Sequence, residues 1–143
     1  MKALIHTDGS AIPTSRGEEG AGAGFVVIVP GGSPDAVARA EPLAIPCSQN
    51  EAEYRAMALA LRAAAEMGAD EVLVRADSKL IVEQLSGKAR VLNPKLALLH
   101  AAVEEERRRF KSVRFLLIPR MKNKVADELS RLGAEKSKAE KRP

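Results

Sequence analysis

Halfway along the chain the spacing of apolar residues changes, and only a mixed sheet accommodates both halves. Up to residue 45 the apolar residues come in short runs: residues 2–8, then Phe25-Val26-Val27-Ile28-Val29, then residues 36–45. A glycine-rich stretch, 9–24, separates the first two, and Pro30-Gly31-Gly32 closes the second. Such runs with short connections read as three strands in an antiparallel meander. From Ser48 onward the rhythm is different. Ser48-Gln49-Asn50-Glu51 has the form of a capping box, and the Ala-rich segment behind it reads as a helix stopped at Met67-Gly68. A strand at 71–76, a short helix at 78–85, and a helix opened by Asn93-Pro94 and running to about Phe110 follow. The chain continues with a strand at 113–118 stopped by Pro119 and a last helix at 123–132. Strands alternating with helices imply parallel pairing through right-handed crossovers. The expectation is an α/β fold of order βββαβααβα: a mixed five-stranded sheet with helices on both faces. It fills one domain, residues 1–134, followed by a charged tail, 135–143, expected to be disordered.

Composition narrows the chemistry. With 45% hydrophobic residues but only 3% aromatic and no Trp, the core must be Ala, Val, Leu and Ile. The single cysteine, Cys47, excludes an internal disulfide and a cysteine-based zinc site. The only histidines are His6 and His100, so a metal would have to be held by oxygen, which points to Mg2+ or Mn2+. The formal charge is +4, and half of that excess lies in residues 135–143, so charge permits a nucleic-acid partner without demanding one. No apolar run is long enough for a bilayer. The opening Met1-Lys2-Ala3-Leu4-Ile5-His6 does not have the form of a signal peptide, so the expected location is cytoplasmic, with no membrane partner.

Four acids occupy positions where carboxylates are costly. Asp8 ends the apolar first strand, and Asp77 stands at the carboxyl end of another, where sites form in open α/β sheets. Glu53 has Ala56, Met57 and Ala60 on its own helical face. Asp127 follows Val125-Ala126 in the last helix. Each has a plain structural reading: a turn former at Asp8-Gly9, a cap at Asp77, a half-exposed helix residue at Glu53, a solvated acid at Asp127. Taken together they read differently, because carboxylates near an apolar layer are relieved by divalent cations between them. Two such ions roughly 4 Å apart can clamp the attacking and leaving oxygens of a phosphoryl displacement without histidine, cysteine or organic cofactor.

The context of these acids resembles the type 1 ribonuclease H family. Thr7-Asp8-Gly9-Ser10, Asn50-Glu51-Ala52-Glu53-Tyr54, Ala76-Asp77-Ser78 with Leu80-Ile81-Val82-Glu83-Gln84-Leu85, and Pro119-Arg120 with Asn123-Lys124-Val125-Ala126-Asp127-Glu128-Leu129 match its motifs in order and spacing. The resemblance covers residues 2 to about 133 and implies the ribonuclease H-like fold. It also implies endonucleolytic cleavage of the RNA strand of an RNA–DNA hybrid, leaving 5′-phosphate and 3′-hydroxyl ends. Two Mg2+ ions, with Mn2+ as a substitute, would be held by Asp8, Glu53, Asp77 and Asp127. In that scheme Asp8 bridges both ions, Glu53 and Asp77 hold the one at the leaving oxygen, and Asp127 helps hold the one that activates water. The resemblance further implies backbone contacts to RNA from Gly9 and Ser10, minor-groove reading of 2′-hydroxyls by Gln49 and Asn50, and a grip on a DNA phosphate by Ser48 and Asn93. Arg120 would reach a phosphate. Ser48 and Asn93 also read as helix caps, which is compatible with that grip.

The chain departs from the family pattern in several places. The hairpin after Asp8, residues 11–20, is longer and more acidic than usual and lacks an expected Asn. The basic, Trp-bearing insertion of some members is missing between Gly87 and Asn93, which leaves Lys88, Arg90 and the tail to supply positive charge. A loop histidine is replaced by the region of residues 120–122. Double-stranded RNA stays open as a substrate, and protein partners are unknown. The main rival is a non-catalytic nucleic-acid-binding domain on the same fold, which would have no need of all four acids. A nucleotide-binding enzyme is disfavoured, because Gly20-Ala21-Gly22-Ala23-Gly24 precedes a strand rather than a helix. In Glu104-Glu105-Glu106-Arg107-Arg108-Arg109, charges pair at i and i+3, which describes a solvated helix face before it describes a docking surface.

Overall fold

A computed structural model of the chain describes residues 1–13 and 19–140. Its elements are β1 (Lys2–Pro13), β2 (Glu19–Ile28), β3 (Ala36–Leu43), α1 (Gln49–Glu66), β4 (Glu71–Ala76), α2 (Lys79–Leu85), α3 (Pro94–Arg107), β5 (Ser112–Leu117), a single 3-10 turn at Arg120–Lys122, and α4 (Lys124–Glu140). The order is the expected βββαβααβα. The five strands form one sheet, β3-β2-β1-β4-β5, antiparallel among β1, β2 and β3 and parallel where β4 joins β1 and β5 joins β4.

Local chemistry starts the helices where the sequence indicated. At α1 the Ser48 hydroxyl accepts the Glu51 N–H at 3.1 Å, and the Glu51 carboxylate accepts the Ser48 N–H at 3.2 Å. At α3 the Asn93 side-chain carbonyl accepts from Lys95 and Leu96, and Pro94 occupies the first turn. Pairing at i and i+3 also holds: Arg107 meets Glu104 at 3.3 Å and Arg108 meets Glu105 at 2.8 Å. Arg107 is not simply solvated, since it lies over the Phe115 ring and donates to the Leu85 and Val113 carbonyls.

The main core lies between one sheet face and α1 to α3. Ile5, Val27 and Val74 meet Tyr54, Met57, Leu61 and Val103 there, all fully or almost fully buried. The opposite face is covered over β2 and β3 by α4, which sits unusually close. A Cβ built on Gly22 or Gly24 would lie 2.2 Å from α4 backbone atoms, so the helix can approach only because these positions carry none. Among the described residues no helix is long and apolar enough to cross a membrane.

Two expectations are corrected. The first strand does not end at Asp8 but continues to Pro13, paired with β2 throughout. Asp8-Gly9 reads locally as a turn, yet Gly22 and Gly24 opposite let the ladder continue beneath α4, and tertiary packing overrides the local signal. The last helix does not stop at Leu132 with a disordered tail from 135. It runs to Glu140, held by the Ser137 hydroxyl donating to the Leu43 carbonyl at 2.7 Å and by Lys136 donating to Ala40 at 3.0 Å. The middle of the atypical 11–20 hairpin and the last residues of the tail, 141–143, lie outside the described residues.

Candidate metal centre

The site arises where β1 outruns β4. Pairing between them stops at His6↔Arg75, whereas β1 remains paired to β2 as far as Pro13. Beyond that point the edge of β1 facing β4 offers backbone groups that no strand satisfies, and side chains complete the ladder. Asn123 Nδ2 donates to the Thr7 carbonyl at 2.9 Å. Glu53 Oε1 accepts the Gly9 N–H at 3.1 Å. Gln49 acts as a peptide unit would: its Nε2 donates to the Gly9 carbonyl at 2.5 Å and its Oε1 accepts the Ala11 N–H at 2.9 Å. This closure brings a glutamate and a glutamine of α1, and an asparagine just before α4, to the strand that carries Asp8.

Ligand oxygens of Asp8, Glu53 and Asp77 all lie within 4.8 Å of one another. Asp8 and Glu53 are only 5% and 6% exposed, so water does little to stabilise their charges, and Asp77 is half-buried. Burial is the main cause that raises the Asp8 pKa, to about 6, and repulsion from Asp77 and Asp127 adds to it. A hydrogen bond with Glu53 acts in the opposite direction on Asp8. Glu53 is pushed up further, first by burial and then by its hydrogen bond with Asp8 and the charge beside it. Burial and proximity therefore disfavour ionisation of both carboxyls together, and the pair keeps a proton above the range where free carboxyls lose it. Asp77 is oriented by Asn123, whose Nδ2 also donates to Asp77 Oδ2 at 3.1 Å.

Asp127 is not one of the three but adjoins them, its carboxyl within hydrogen-bonding reach of Asp8. It is half-buried on α4, and its Oδ1 accepts from Arg131 Nε at 3.3 Å. Its effect on Asp8 places its charge beside the cluster. The structure thus brings three of the expected acids within reach of one ion, with the fourth adjacent and ion-paired.

The residues fit a hard divalent cation. The donors are all carboxylate oxygens, they are too buried and too close to be charged together without one, and the buried Oδ1 of Asn123 has no hydrogen-bond partner. The expected substrate residues are placed as follows. Ser48 and Asn93 are exposed at helix N-termini, each engaged as a cap. Asn50 is half-buried on the first turn of α1, and Arg120 is exposed on the 3-10 turn. The N–H and C=O of Gly9 and the amide of Gln49 are engaged with each other and with Glu53. The Ser10 side chain is buried and meets the Ser130 hydroxyl at 2.6 Å. Cys47 is buried, which pushes its thiol pKa up. Sequence reasoning missed Asn123 and Ser130 as site residues. Their signal was a stripe of small or amide side chains, 123, 126, 130, 134 and 137, on one face of the last helix.

Comparison with known proteins agrees with this geometry. Residues 7–133 match the reverse transcriptase-like family. A bifunctional protein of Mycobacterium tuberculosis is 36% identical over 137 residues, which is 91% of this chain but 35% of that protein, so the chain spans about a third of the length of such relatives. The crystal structure of RNase H1 from the archaeon Halobacterium salinarum superposes with a TM-score of 0.83 at 26% identity, covering 95% of this chain and 99% of that one. LC11-RNase H1, solved in complex with an RNA/DNA hybrid, superposes with a TM-score of 0.80 at 30% identity, covering 94% and 98%. By sequence over most of its length and by fold, the chain belongs to the reverse transcriptase-like family, on its type 1 ribonuclease H-like branch.

Proposed function

We propose that this protein is a ribonuclease H that hydrolyses the RNA strand of RNA–DNA hybrids with two divalent ions, Mg2+ or Mn2+ in its place, leaving 5′-phosphate and 3′-hydroxyl ends. The observation that carries the reading is the convergence of Asp8, Glu53 and Asp77 on one point at the end of the sheet. The hybrid bound by LC11-RNase H1, a protein of like fold, supports the choice of substrate.

The bound ions would neutralise the carboxylates and stabilise charge developing on the phosphate oxygens. Asp8, Glu53 and Asp77 would hold them, and Asp127 would join once its carboxylate turns from Arg131. Asn123 fixes the Asp77 carboxylate, so that ligand is set before any ion arrives. Burial of Asp8 and Glu53 keeps bulk water from screening the charges on which the chemistry depends. Substrate would lie across the exposed N-terminal ends of α1 and α3. There Ser48 and Asn93 offer helix N-termini to a DNA phosphate, and Asn50 faces the minor groove with its 2′-hydroxyls. Gln49, Gly9 and Ser10 would act on the RNA strand through the shape they give to β1, and Arg120 would approach a phosphate from the 3-10 turn.

The test is cleavage of end-labelled RNA–DNA hybrid, RNA duplex and DNA duplex by the wild type and by Asp8→Asn. Hybrid cleavage should require Mg2+ or Mn2+, stop with chelator, and fall by a factor of about 100 or more in the variant, with circular dichroism unchanged. Hybrid binding without cleavage would favour a non-catalytic binding domain. Cleavage that persists in chelator would overturn the metal assignment.

A further inference from the structure

Two neighbouring carboxylates of the acid cluster belong to different elements, Asp8 to β1 and Asp127 to α4. Any ion held between them depends on how far α4 stands from β1. Two side-chain links set that distance at the height of the acids, and they bracket both. On one side Asn123, just before α4, donates to the Thr7 carbonyl at 2.9 Å. On the other, Ser130 of α4 meets Ser10 of β1, hydroxyl to hydroxyl, at 2.6 Å. In sequence Asp8 lies between Thr7 and Ser10, and Asp127 lies between Asn123 and Ser130.

The Ser130 hydroxyl is also connected to both acids. It lies 2.7 Å from the Asp127 carbonyl and 3.5 Å from Asp8 Oδ2. Ser130 is 0% exposed, Ser10 4% and Asp8 5%, so no solvent competes for these protons. One hydroxyl cannot serve both acceptors, but the pair brings two protons. With Ser10 donating to Ser130, the Ser130 proton is free to go to the helix carbonyl or to the carboxylate. Simple packing would not call for hydroxyls here, since alanine fills the same space, and Ala126 and Ala134 do so one turn away on the same face.

We infer that Ser130, locked by Ser10, is a positioning residue that orients Asp8 and fixes the gap between Asp8 and Asp127 for a divalent ion. This rests on the metal-dependent reading above. The pair touches neither substrate nor reacting atoms and acts only through the Asp8 carboxylate and the main chain of Asp127.

The test is Mn2+ binding by calorimetry to the free protein, without nucleic acid, for the wild type, Ser130→Ala, Ser10→Ala and the double variant. Thermal melts in chelator and Mg2+ titrations of hybrid cleavage accompany it. Ser130→Ala should weaken Mn2+ binding by about tenfold and raise the Mg2+ needed for half-maximal cleavage by a similar factor, while KM for hybrid stays within about twofold. Ser10→Ala should move the same quantities in the same direction. The double variant should be no worse than Ser130→Ala alone, because both single changes break one unit. A melting temperature that drops in chelator while Mn2+ affinity holds would reduce the pair to packing and overturn the inference. Should Ser130→Ala not fold, Ser10→Ala decides: unchanged Mn2+ affinity there overturns it equally. If the wild type binds no Mn2+ at all, the metal-dependent reading itself has failed, an outcome distinct from a wild type that binds and a variant that binds as well.

Discussion

Glu53 Oε1 accepts the Gly9 N–H at 3.1 Å, and through that bond helix α1 completes a ladder that β4 leaves unfinished. The same oxygen belongs to a carboxyl that burial and Asp8 drive toward its protonated form. The bond needs an acceptor and not a charge. Glu53→Gln keeps the acceptor and is neutral without having to hold a proton beside Asp8, so in chelator at neutral pH the variant should be more stable than the wild type, by on the order of 1–3 kcal/mol. It should also lose hybrid cleavage and most of the rise in melting temperature that Mg2+ gives the wild type. Denaturant melts with and without Mg2+ check both; a variant less stable than wild type in chelator would mean that the buried carboxyl of Glu53 is not a burden.

The sign of the pH dependence follows from the same pair. Asp8 and Glu53 both have folded-state pKa values above those of the unfolded chain. Above the unfolded values, near pH 4, the folded protein therefore binds more protons than the unfolded one, and stability falls as pH rises. The decline runs through about pH 6 for Asp8 and continues beyond it for Glu53. The metal-free protein should melt at progressively lower temperature from pH 4 to 8, with excess Mg2+ restoring most of the loss at the upper end. Ordinary acid-labile behaviour, with stability rising from pH 4 to 8 in chelator, would contradict the arrangement.

Much of this fold was legible because its signals are local. The capping box at Ser48 and Glu51, the Asn93-Pro94 helix start and the strand end at Asp77 each depend on a few adjacent residues, and each lies where the sequence indicated. The acids were legible through their motifs. What escaped is what distant residues decide. The Asp8-Gly9-Ser10 run is a turn by local preference and a strand only because β2 and α4 lie against it. The charged end of α4 hides Ala134 and Ser137, whose burial against β3 makes it a helix rather than a tail. Gln49 reads by resemblance as a minor-groove contact, and only the early end of β4 gives its amide a strand edge to complete.

Tyr54 offers a test of stability separate from the chemistry. Its ring is fully buried, and its hydroxyl donates to Gln84 Oε1 at 2.5 Å, while Gln84 Nε2 holds the Arg90 carbonyl at 3.1 Å. Tyr54→Phe leaves a buried acceptor unpaired at little change in volume, which should cost about 1–3 kcal/mol. Cleavage per folded molecule should stay within about twofold, since no acid of the cluster loses a partner. A much larger loss of activity than of stability would show that this bond also shapes the neighbouring Glu53.

Two glycines separate the need for space from the need for an unusual backbone. Gly87 has φ +78°, and a Cβ added there would meet nothing within 4 Å, so Gly87→Ala meets only backbone strain, about 1 kcal/mol. Gly24 is extended within β2, and a Cβ there would lie 2.2 Å from the Ala126 carbonyl oxygen and the Ser130 nitrogen, both backbone atoms that no rotamer change can move. Gly24→Ala must push α4 off the sheet, and α4 carries Asp127 and Ser130. Overpacking of this kind costs roughly 3 kcal/mol or more, and whatever fraction still folds should bind Mn2+ weakly and cleave hybrid poorly even at saturating Mg2+. Gly87→Ala should lose stability alone, with metal affinity and cleavage intact. Equal activity per folded molecule in the two variants would show that the stand-off of α4 from β1 does not govern the site.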